Sequence, residues 1–187
     1  KLEIKSKNLK NNFKLFKKID LQSKYFSSGD IYNKILDYLF DKKRNNLCYG
    51  VTIRKPNLLL RPKGKKIYDL LLDLKRNREI SKIGITIYDT KNLKNILKKF
   101  KIDYIQLPYN FVKDKIFYET KKLIKNKNIE IHLRSIFLQG LLLKKNYELP
   151  LLLKRLSKDW LTIDNYLESK GINRLAACLN FAINSGA

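Results

Sequence analysis

The chain has 187 residues, of which 44% are hydrophobic, and 41 Lys and Arg against 17 Asp and Glu give it a formal net charge of +24. This length and hydrophobic content suffice for one domain with a buried core and exclude a disordered chain. The sequence has no apolar run long enough to span a membrane, and its N-terminus does not resemble a secretion signal. The chain is therefore expected to be cytoplasmic, with no membrane partner.

The positive charge permits binding to a polyanion through counterion release. The lysines are, however, spread over every predicted helix and loop, and no nucleic-acid recognition motif accompanies them. A solvated basic surface is favoured, and a polyanion-binding protein is kept as a third hypothesis. Nucleic acid is not an expected partner.

Metal and nucleophile motifs are missing from the sequence. Cys48 and Cys178 lie in apolar segments without metal-type spacing, so both are predicted to be buried free thiols. No nucleophile stands beside a partnered base, and no glycine-rich phosphate loop is present. The sequence predicts no metal site.

Two strands, each followed by a helix, are predicted in the first part of the chain. Alternation in NFKLFKKID predicts the first strand, and the next helix would place Ile31, Ile35, Tyr38 and Leu39 on one face, with Ser27, Ser28 or Asp30 as its N-cap. NLCYGVTI is the second strand, which Pro56 ends. A loop, LLLRPKG, then leads to a helix predicted to bury Ile67, Leu70, Leu71 and Leu74.

Three further strands, KIGITIYD, IDYIQLP and IEIHLRS, follow between residues 81 and 140. The first helix between them would begin at Asp89 or Thr90 and bury Leu93, Ile96, Leu97 and Phe100. The second would turn Ile116, Thr120, Leu123 and Ile124 inward. After a loop ending at Pro150, a helix carrying Leu156, Trp160, Ile163 and Leu167 stops at Gly171. The last segment, INRLAACLNFAIN, is predicted to be a helix buried on much of its circumference.

Alternating strands and helices predict a parallel sheet with right-handed crossovers, either open and doubly wound or part of a (β/α)8 barrel. The strands alternate between an aliphatic face and a face of small, aromatic and polar residues, which favours helices outside and a barrel interior inside. A complete barrel has eight strands in about 250 residues. Residues 1–187 are therefore interpreted as an incomplete α/β barrel domain of five parallel strands, lacking N-terminal strands and the last strand. The absence of methionine and the ending FAINSGA suggest a truncated reading frame.

Polar side chains stand where the predicted strands end, which is the edge of a barrel where catalysis takes place. A ring of cations, hydroxyls and an amide without paired carboxylates is poorly suited to glycoside hydrolysis or to a hard metal. It suits an anionic ligand that bears an amide. Its members are Lys18, Arg54, Thr86, Gln106, Arg134 and Ser135.

The ordered motifs IGITIYD, IDYIQLPYN and IEIHLRSIFLQGLL resemble the aldo-keto reductase family, in particular its bacterial members with RSxFLQGLL. The resemblance extends from about Phe13 to the final helix. It implies a (β/α)8 barrel that binds NADPH, or NADH, across its mouth and reduces a small-molecule carbonyl by hydride transfer. In that family a tyrosine, assisted by a lysine and an aspartate, donates the proton, and a histidine positions the carbonyl.

The resemblance also implies roles for the predicted ring of polar residues. Lys18 matches the catalytic lysine, and Gln106 matches the glutamine that binds the nicotinamide carboxamide. Thr86 falls at the serine of a GxSN-like turn, whose asparagine is replaced by Ile87. The remaining two are Arg134, where many members stack a tyrosine on the nicotinamide, and Ser135, which with FLQG would approach the pyrophosphate.

Two departures from the family concern catalysis. Arg54 in VTIRKP stands where the family has the histidine of a motif like LLLHRP, and arginine cannot act as a neutral imidazole. Residues 1–12 match neither the tyrosine nor the aspartate, so the chain as given is expected not to complete the catalytic tetrad and to be inactive. A catalytically degenerate barrel that only binds cofactor or ligand is the second hypothesis. His132, Tyr88, Tyr104 and Tyr109 are interpreted as structural residues, and His132 as a hydrogen-bonded interior one.

Overall fold

The computed structural model describes residues 15–19 and 48–187, and every structural statement below concerns those residues. The helix predicted around residues 31–39, with its N-cap at 27–30, lies outside them. The chain divides into two compact units, Lys1–Gln106 and Leu107–Ala187, which are described separately. Among the described helices, none is long and apolar enough to cross a membrane.

The described residues contain five strands that form one sheet in the order β1-β2-β3-β4-β5. The pairs β1–β2, β2–β3 and β3–β4 are parallel. Each strand follows its neighbour in the chain, whereas a doubly wound sheet reverses its strand order at a switch point. All five predicted strands are present: β1 Leu15–Ile19, β2 Cys48–Ile53, β3 Lys82–Thr86, β4 Tyr104–Pro108 and β5 Glu130–Arg134.

In the described part of the first unit, two α-helices are present, α1 (Pro62–Arg76) and α2 (Leu93–Lys99). The aliphatic stripe of α1 is buried as predicted, except that Leu70 is only half-buried. The loop predicted before α1 is wrong, because Pro56–Leu60 form a 3₁₀ helix and α1 already begins at Pro62. Proline suits that position, since the first turn of a helix needs no N–H donor.

The predicted start of α2 is also wrong. Asn92 is the N-cap residue, and the helix begins at Leu93. The Asp89 carboxylate instead accepts a hydrogen bond from the backbone N–H of Lys91 at 3.0 Å. Asp89 therefore closes a local turn, as short acidic side chains often do, and does not cap the helix.

The two faces of the strands differ in the first unit as the alternation predicted. On the aliphatic face, at most 1% of each side chain is exposed for Val51, Ile53, Ile83, Ile85 and Ile105. On the opposite face, Tyr104 is fully buried, and its ring meets that of Phe16 edge-on with centroids 5.1 Å apart. A Cβ atom at Gly84 would clash with the Tyr104 ring, so glycine is required there. This face is packed with side chains, as barrel interiors are.

The second unit contains α3 (Lys115–Ile124), α4 (Ser157–Ser169) and α5 (Arg174–Ile183), with 3₁₀ helices at Leu141–Leu143, Asn146–Glu148 and Leu151–Leu156. Trp160 on α4 and Cys178 on α5 are buried in one apolar cluster with Leu142 and Leu149. The Gly171 backbone, with φ +63°, follows the end of α4 as predicted. Both cysteines are free and buried, which confirms that prediction.

A buried ion pair joins the pieces of the second unit. The guanidinium of Arg174 lies 2.7 Å from an Asp164 carboxylate oxygen. It also donates hydrogen bonds to the carbonyl oxygens of Leu142, at 3.2 Å, and Trp160, at 3.3 Å. Breaking a buried ion pair leaves an uncompensated buried charge, which is strongly destabilising. This contact therefore holds α5 against α4 and the chain before it.

Two burial predictions in the second unit are wrong. Leu123 on α3 is 36% exposed, and Phe117 takes the buried position instead. α5 is far from buried all round, because it meets the rest of this unit along Arg174, Cys178 and Phe181, one face of the helix. The side chains on its other faces are exposed: Leu175, Leu179 and Ile183. Periodicity gives the helix but not the width of the face that a neighbour covers.

Candidate functional site

Strand register places the polar residues of the first unit on two levels of the inner face. Ile53 pairs with Ile85 and Thr86 pairs with Gln106, so Arg54, Thr86 and Gln106 share what we call the rim level. Lys18 pairs with Thr52, and that row continues through Gly84 to Tyr104. We call this row the floor level. It lies two residues, or about 6.6 Å, below the rim.

Two polar atoms in the described part of the rim level are buried without a hydrogen-bond partner. Among the described residues, Thr86 Oγ1 and Gln106 Oε1 are inaccessible to water and make no hydrogen bond. Thr86 is 2% exposed. The strand ends are held together by the Ile87 N–H, which donates to the Gln106 carbonyl at 3.0 Å. A buried polar atom without a partner is costly and uncommon, and it requires an explanation.

A primary carboxamide would complete both groups. The Gln106 oxygen can accept a hydrogen bond from an amide NH₂, and the Thr86 hydroxyl can donate one to an amide carbonyl. Thr86 and Gln106 are direct partners across adjacent strands, where side chains on one face lie within reach of one small planar group. The two residues therefore fit the amide that the resemblance assigned to them.

The two predicted catalytic residues are both exposed cations but stand on different levels. Lys18 is on the floor level of β1, and Arg54 directly follows β2 at the rim. The Arg54 N–H donates to the Ile19 carbonyl at 2.9 Å, which fixes the backbone of this arginine to β1. The sequence had placed Lys18 at the same rim as Arg54; the register separates them because the parallel pairing aligns Lys18 with Thr52.

Tyr104 is part of the floor. Its hydroxyl hydrogen-bonds the Thr52 hydroxyl, and burial raises the pKa of Tyr104 above its usual value. A fully buried, hydrogen-bonded tyrosine fills the interior and does not reach a substrate, so the structural interpretation suits it. Tyr88, just beyond β3, is 53% exposed.

In the second unit, Arg134 and Ser135 are held by the chain that follows β4. The Tyr109 N–H donates to the Arg134 carbonyl at 3.0 Å, and the Asn110 amide nitrogen donates to the Ser135 carbonyl at 3.1 Å. Asn110 is 2% exposed, and its side-chain oxygen accepts from the backbone N–H groups of Val112 and Lys113. Sequence reasoning missed this positioning role. The available signal was an asparagine directly after a strand, in IQLPYN.

The loop after β5 has an unusual backbone. Ser135, Leu138 and Gln139 have φ of +56°, +46° and +56°, and Gly140 follows at +86°. Left-handed conformations are strained for residues other than glycine and concentrate at functional sites. A leucine there is especially unfavourable, so the surrounding hydrogen bonds must impose this shape. Only Gly140 signalled it in the sequence.

Other candidate residues of the second unit do not form a reactive group. His132 is half-buried, and its Nε2 lies 3.2 Å from a carboxylate oxygen of the exposed Glu130, so it is hydrogen-bonded but not interior. Tyr109 packs between Phe117 and Phe181, and burial, followed by the neighbouring Tyr118 hydroxyl, raises its pKa to about 12. A surface cavity of about 840 Å³ is lined mainly by lysines at the end of α3 and just after it, by β5 and by the last two residues, and none of the predicted site residues lines it.

Comparisons with known proteins concern the family and the fold of the chain. Residues 59–183 match the model of the family described as "Aldo/keto reductase family". The fold is similar to the structure titled "Crystal structure of Gox0644 at apoform", with a TM-score of 0.50 and 14% identity, over 88% of this chain and 63% of that one. At this identity the likeness concerns the fold alone. None of the curated protein sequences compared with the chain matches it.

These findings confirm the predicted fold class. The five strands in one sheet with helices around them are part of an α/β barrel of the (β/α)8 type. The chain spans 63% of the length of the compared structure's chain. The activity of a whole enzyme is therefore a matter for proposal.

Proposed function

This chain belongs to the aldo/keto reductase family, and from that premise we propose that it takes part in the NAD(P)H-dependent reduction of a carbonyl to an alcohol. The proposed substrate is a small aldehyde or ketone, including sugar-derived ones, and the proposed cofactor is NADPH or NADH. The observation that carries the proposal is the pair of buried polar atoms without partners at the rim level, Thr86 Oγ1 and Gln106 Oε1.

When bound, the reduced nicotinamide supplies the hydride for the carbonyl carbon. Gln106 and Thr86 would bind the carboxamide and thereby orient the ring, as their donor and acceptor groups allow. For the second unit, taken by itself, the resemblance assigns cofactor contacts to Arg134 and Ser135, whose backbone Tyr109 and Asn110 hold.

Arg54 and Lys18 would act on the substrate side of the reaction. Arg54 can donate hydrogen bonds to a carbonyl oxygen and stabilise the negative charge that develops there. Lys18 supplies a positive charge that lowers the pKa of an acid placed beside it.

Titrating the full chain with NADPH and following its fluorescence tests the cofactor assignment. Gln106→Leu removes the acceptor and should weaken binding about tenfold, the equivalent of one hydrogen bond to a buried group. Asn95→Leu, which replaces an exposed amide on α2, is the matched control and should bind as the parent does. Equal affinity of the parent and Gln106→Leu would refute the role of Gln106, and no binding by the parent would refute the cofactor assignment.

The second candidate, a barrel that binds cofactor without catalysis, rests on Arg54. This residue stands at the rim level. The resemblance implies that its guanidinium takes the place of the family's imidazole. The two candidates separate in the Arg54→His variant, provided that the complete tetrad is present. A gain in carbonyl reduction supports a catalytic site that Arg54 impairs, whereas unchanged NADPH binding with no gain in turnover supports the degenerate barrel.

A further inference from the structure

Two adjacent leucines stand out on the surface of the second unit. Leu151 and Leu152 are 86% and 90% exposed, at the start of the 3₁₀ helix Leu151–Leu156. Tyr147, in the preceding 3₁₀ helix, is 76% exposed. Single exposed leucines are ordinary, but a contiguous apolar surface points to an interaction site.

The geometry of this 3₁₀ helix sorts its six side chains into three stacked pairs, since residues i and i+3 eclipse each other. Leu153 and Leu156 form the inner pair, and Leu156 packs against the apolar cluster of the unit. The two outer pairs are Leu151 with Lys154 and Leu152 with Arg155, and all four side chains are exposed. The outer surface is therefore layered, with leucines at one end and cations one turn, or about 6 Å, below them.

We propose that this leucine tip, Leu151 and Leu152 with Lys154 and Arg155, is a peripheral contact for a membrane surface that contains anionic lipids. Interfacial segments insert apolar side chains about 5–10 Å into the boundary between headgroups and acyl chains. With the leucines at that depth, cations one turn away reach the phosphate layer. Lys144 and Lys158 add exposed positive charge nearby in the chain, whereas Lys145 is paired with Glu168 at 3.6 Å.

Charge complementarity selects this occupant over two others. A second copy of the chain would bring the same cations and a further net charge of +24 to the contact. A nucleic acid would match the cations, but it offers the leucines no apolar surface. An anionic bilayer satisfies both layers of the tip. The sequence-based expectation of no membrane partner rested on the lack of a spanning segment, which a surface contact does not need.

Co-sedimentation of the full chain with vesicles tests the proposal. One set consists of phosphatidylcholine with about one third phosphatidylglycerol, and the other of phosphatidylcholine alone. The chain should bind the first set and not the second. The double variant Leu151→Ser/Leu152→Ser should lose at least about tenfold in affinity, since each leucine gives up its transfer to the apolar layer. Lys154→Glu/Arg155→Glu should lose at least about fivefold for each cation removed.

Two matched controls separate the tip from the general properties of the surface. Leu161→Ser replaces a 49% exposed leucine on α4. The α3 charge control, Lys122→Glu/Lys125→Glu, reverses two exposed charges, one on α3 and one directly after it. The leucine control should bind as the parent does, and the charge control should lose only the long-range attraction that salt screens. All replaced side chains are exposed, and circular dichroism verifies folding.

Three results would overturn the proposal. Full binding by Leu151→Ser/Leu152→Ser would show that the net charge alone attracts the vesicles. Equal losses in the α3 charge control and in Lys154→Glu/Arg155→Glu would show the same. Self-association that Leu151→Ser/Leu152→Ser abolishes, with no vesicle binding by the parent, would assign the leucines to a second copy of the chain.

Discussion

Replacing Thr86 by valine should stabilise the chain and at the same time weaken its binding of NADPH. Valine has nearly the same shape as threonine but lacks the hydroxyl, and Thr86 is 2% exposed with no hydrogen-bond partner for Oγ1. Removing an unsatisfied buried hydroxyl relieves a desolvation cost of about 1–3 kcal/mol. For a chain of this length each kcal/mol raises Tm by about 2–4 °C. A gain in stability of the chain by itself is thus expected.

The adjacent strand supplies the matched control, Thr52→Val. Thr52 is equally buried, but its hydroxyl is hydrogen-bonded to that of Tyr104. The same substitution at this position leaves the buried Tyr104 hydroxyl without its partner and should destabilise the chain by about 1–3 kcal/mol. Two chemically identical changes, one level apart on the inner face, are therefore expected to shift stability in opposite directions.

Urea denaturation gives the free energy of unfolding of both variants, and NADPH fluorescence gives the affinity. Thr86→Val should lose about fivefold to tenfold in affinity, since valine cannot donate to the carboxamide. Destabilisation by Thr86→Val would mean that Oγ1 has a partner and is not reserved for a ligand. A stabilised variant with unchanged NADPH affinity would mean that the Thr86 hydroxyl is an unsatisfied buried group that does not bind the cofactor.

Three further predictions concern stability. Asp103→Asn should lower the free energy of unfolding by about 1–3 kcal/mol, because both oxygens of this carboxylate lie 2.6 Å from the Lys75 amine and one accepts the Ile83 N–H at 2.8 Å. The control is Asp73→Asn at an exposed position, which should change the free energy of unfolding by less than about 0.5 kcal/mol. Gly84→Ala should destabilise the chain, and Tyr104→Leu should reduce that loss in a double-mutant cycle; additive effects would contradict the contact. The pKa of Tyr109 is raised to about 12, so its contribution to the free energy of unfolding is complete below pH about 10 and is lost as the pH rises through 12. Tyr109→Phe should therefore make the free energy of unfolding depend less on pH in that window. An unchanged dependence on pH would refute this prediction.

The sheet was predictable because parallel strands with one aliphatic and one mixed face alternate visibly. Ile83 and Ile85 against Gly84 and Thr86 define both faces of β3 without any tertiary information. Helix faces were less predictable, because the buried arc depends on what packs there, as Leu123 shows. Between β5 and α4, the spacing of apolar residues did not predict the structure, because short 3₁₀ helices bury only every third residue.

The sequence predicted which residues of the candidate site face inward, but not which of them lie on the same level of the sheet. Counting along each strand identifies which side chains point inward, and by that count Thr86 and Gln106 are inward residues. Which inward residues are neighbours depends on register, and no short-range signal fixes the pairing of Lys18 with Thr52. Asn110 escaped notice for a similar reason, since its function is to hold the backbone of Ser135, which is distant in sequence.

The two levels of the inner face give a reason for the unpaired acceptors. Gly84 has no side chain, so Tyr104 can lie across the floor level, where it is fully buried and its hydroxyl is paired with Thr52. The floor thus satisfies its own polar groups, as a packed barrel interior must. The rim level directly above it does not. The inner face thus pairs every hydroxyl on one level and leaves an amide oxygen and a hydroxyl unpaired on the next, which supports the proposal of a ligand that supplies the missing partners. That ligand would extend no deeper than Thr86 and Gln106, because Tyr104 fills the floor level below them.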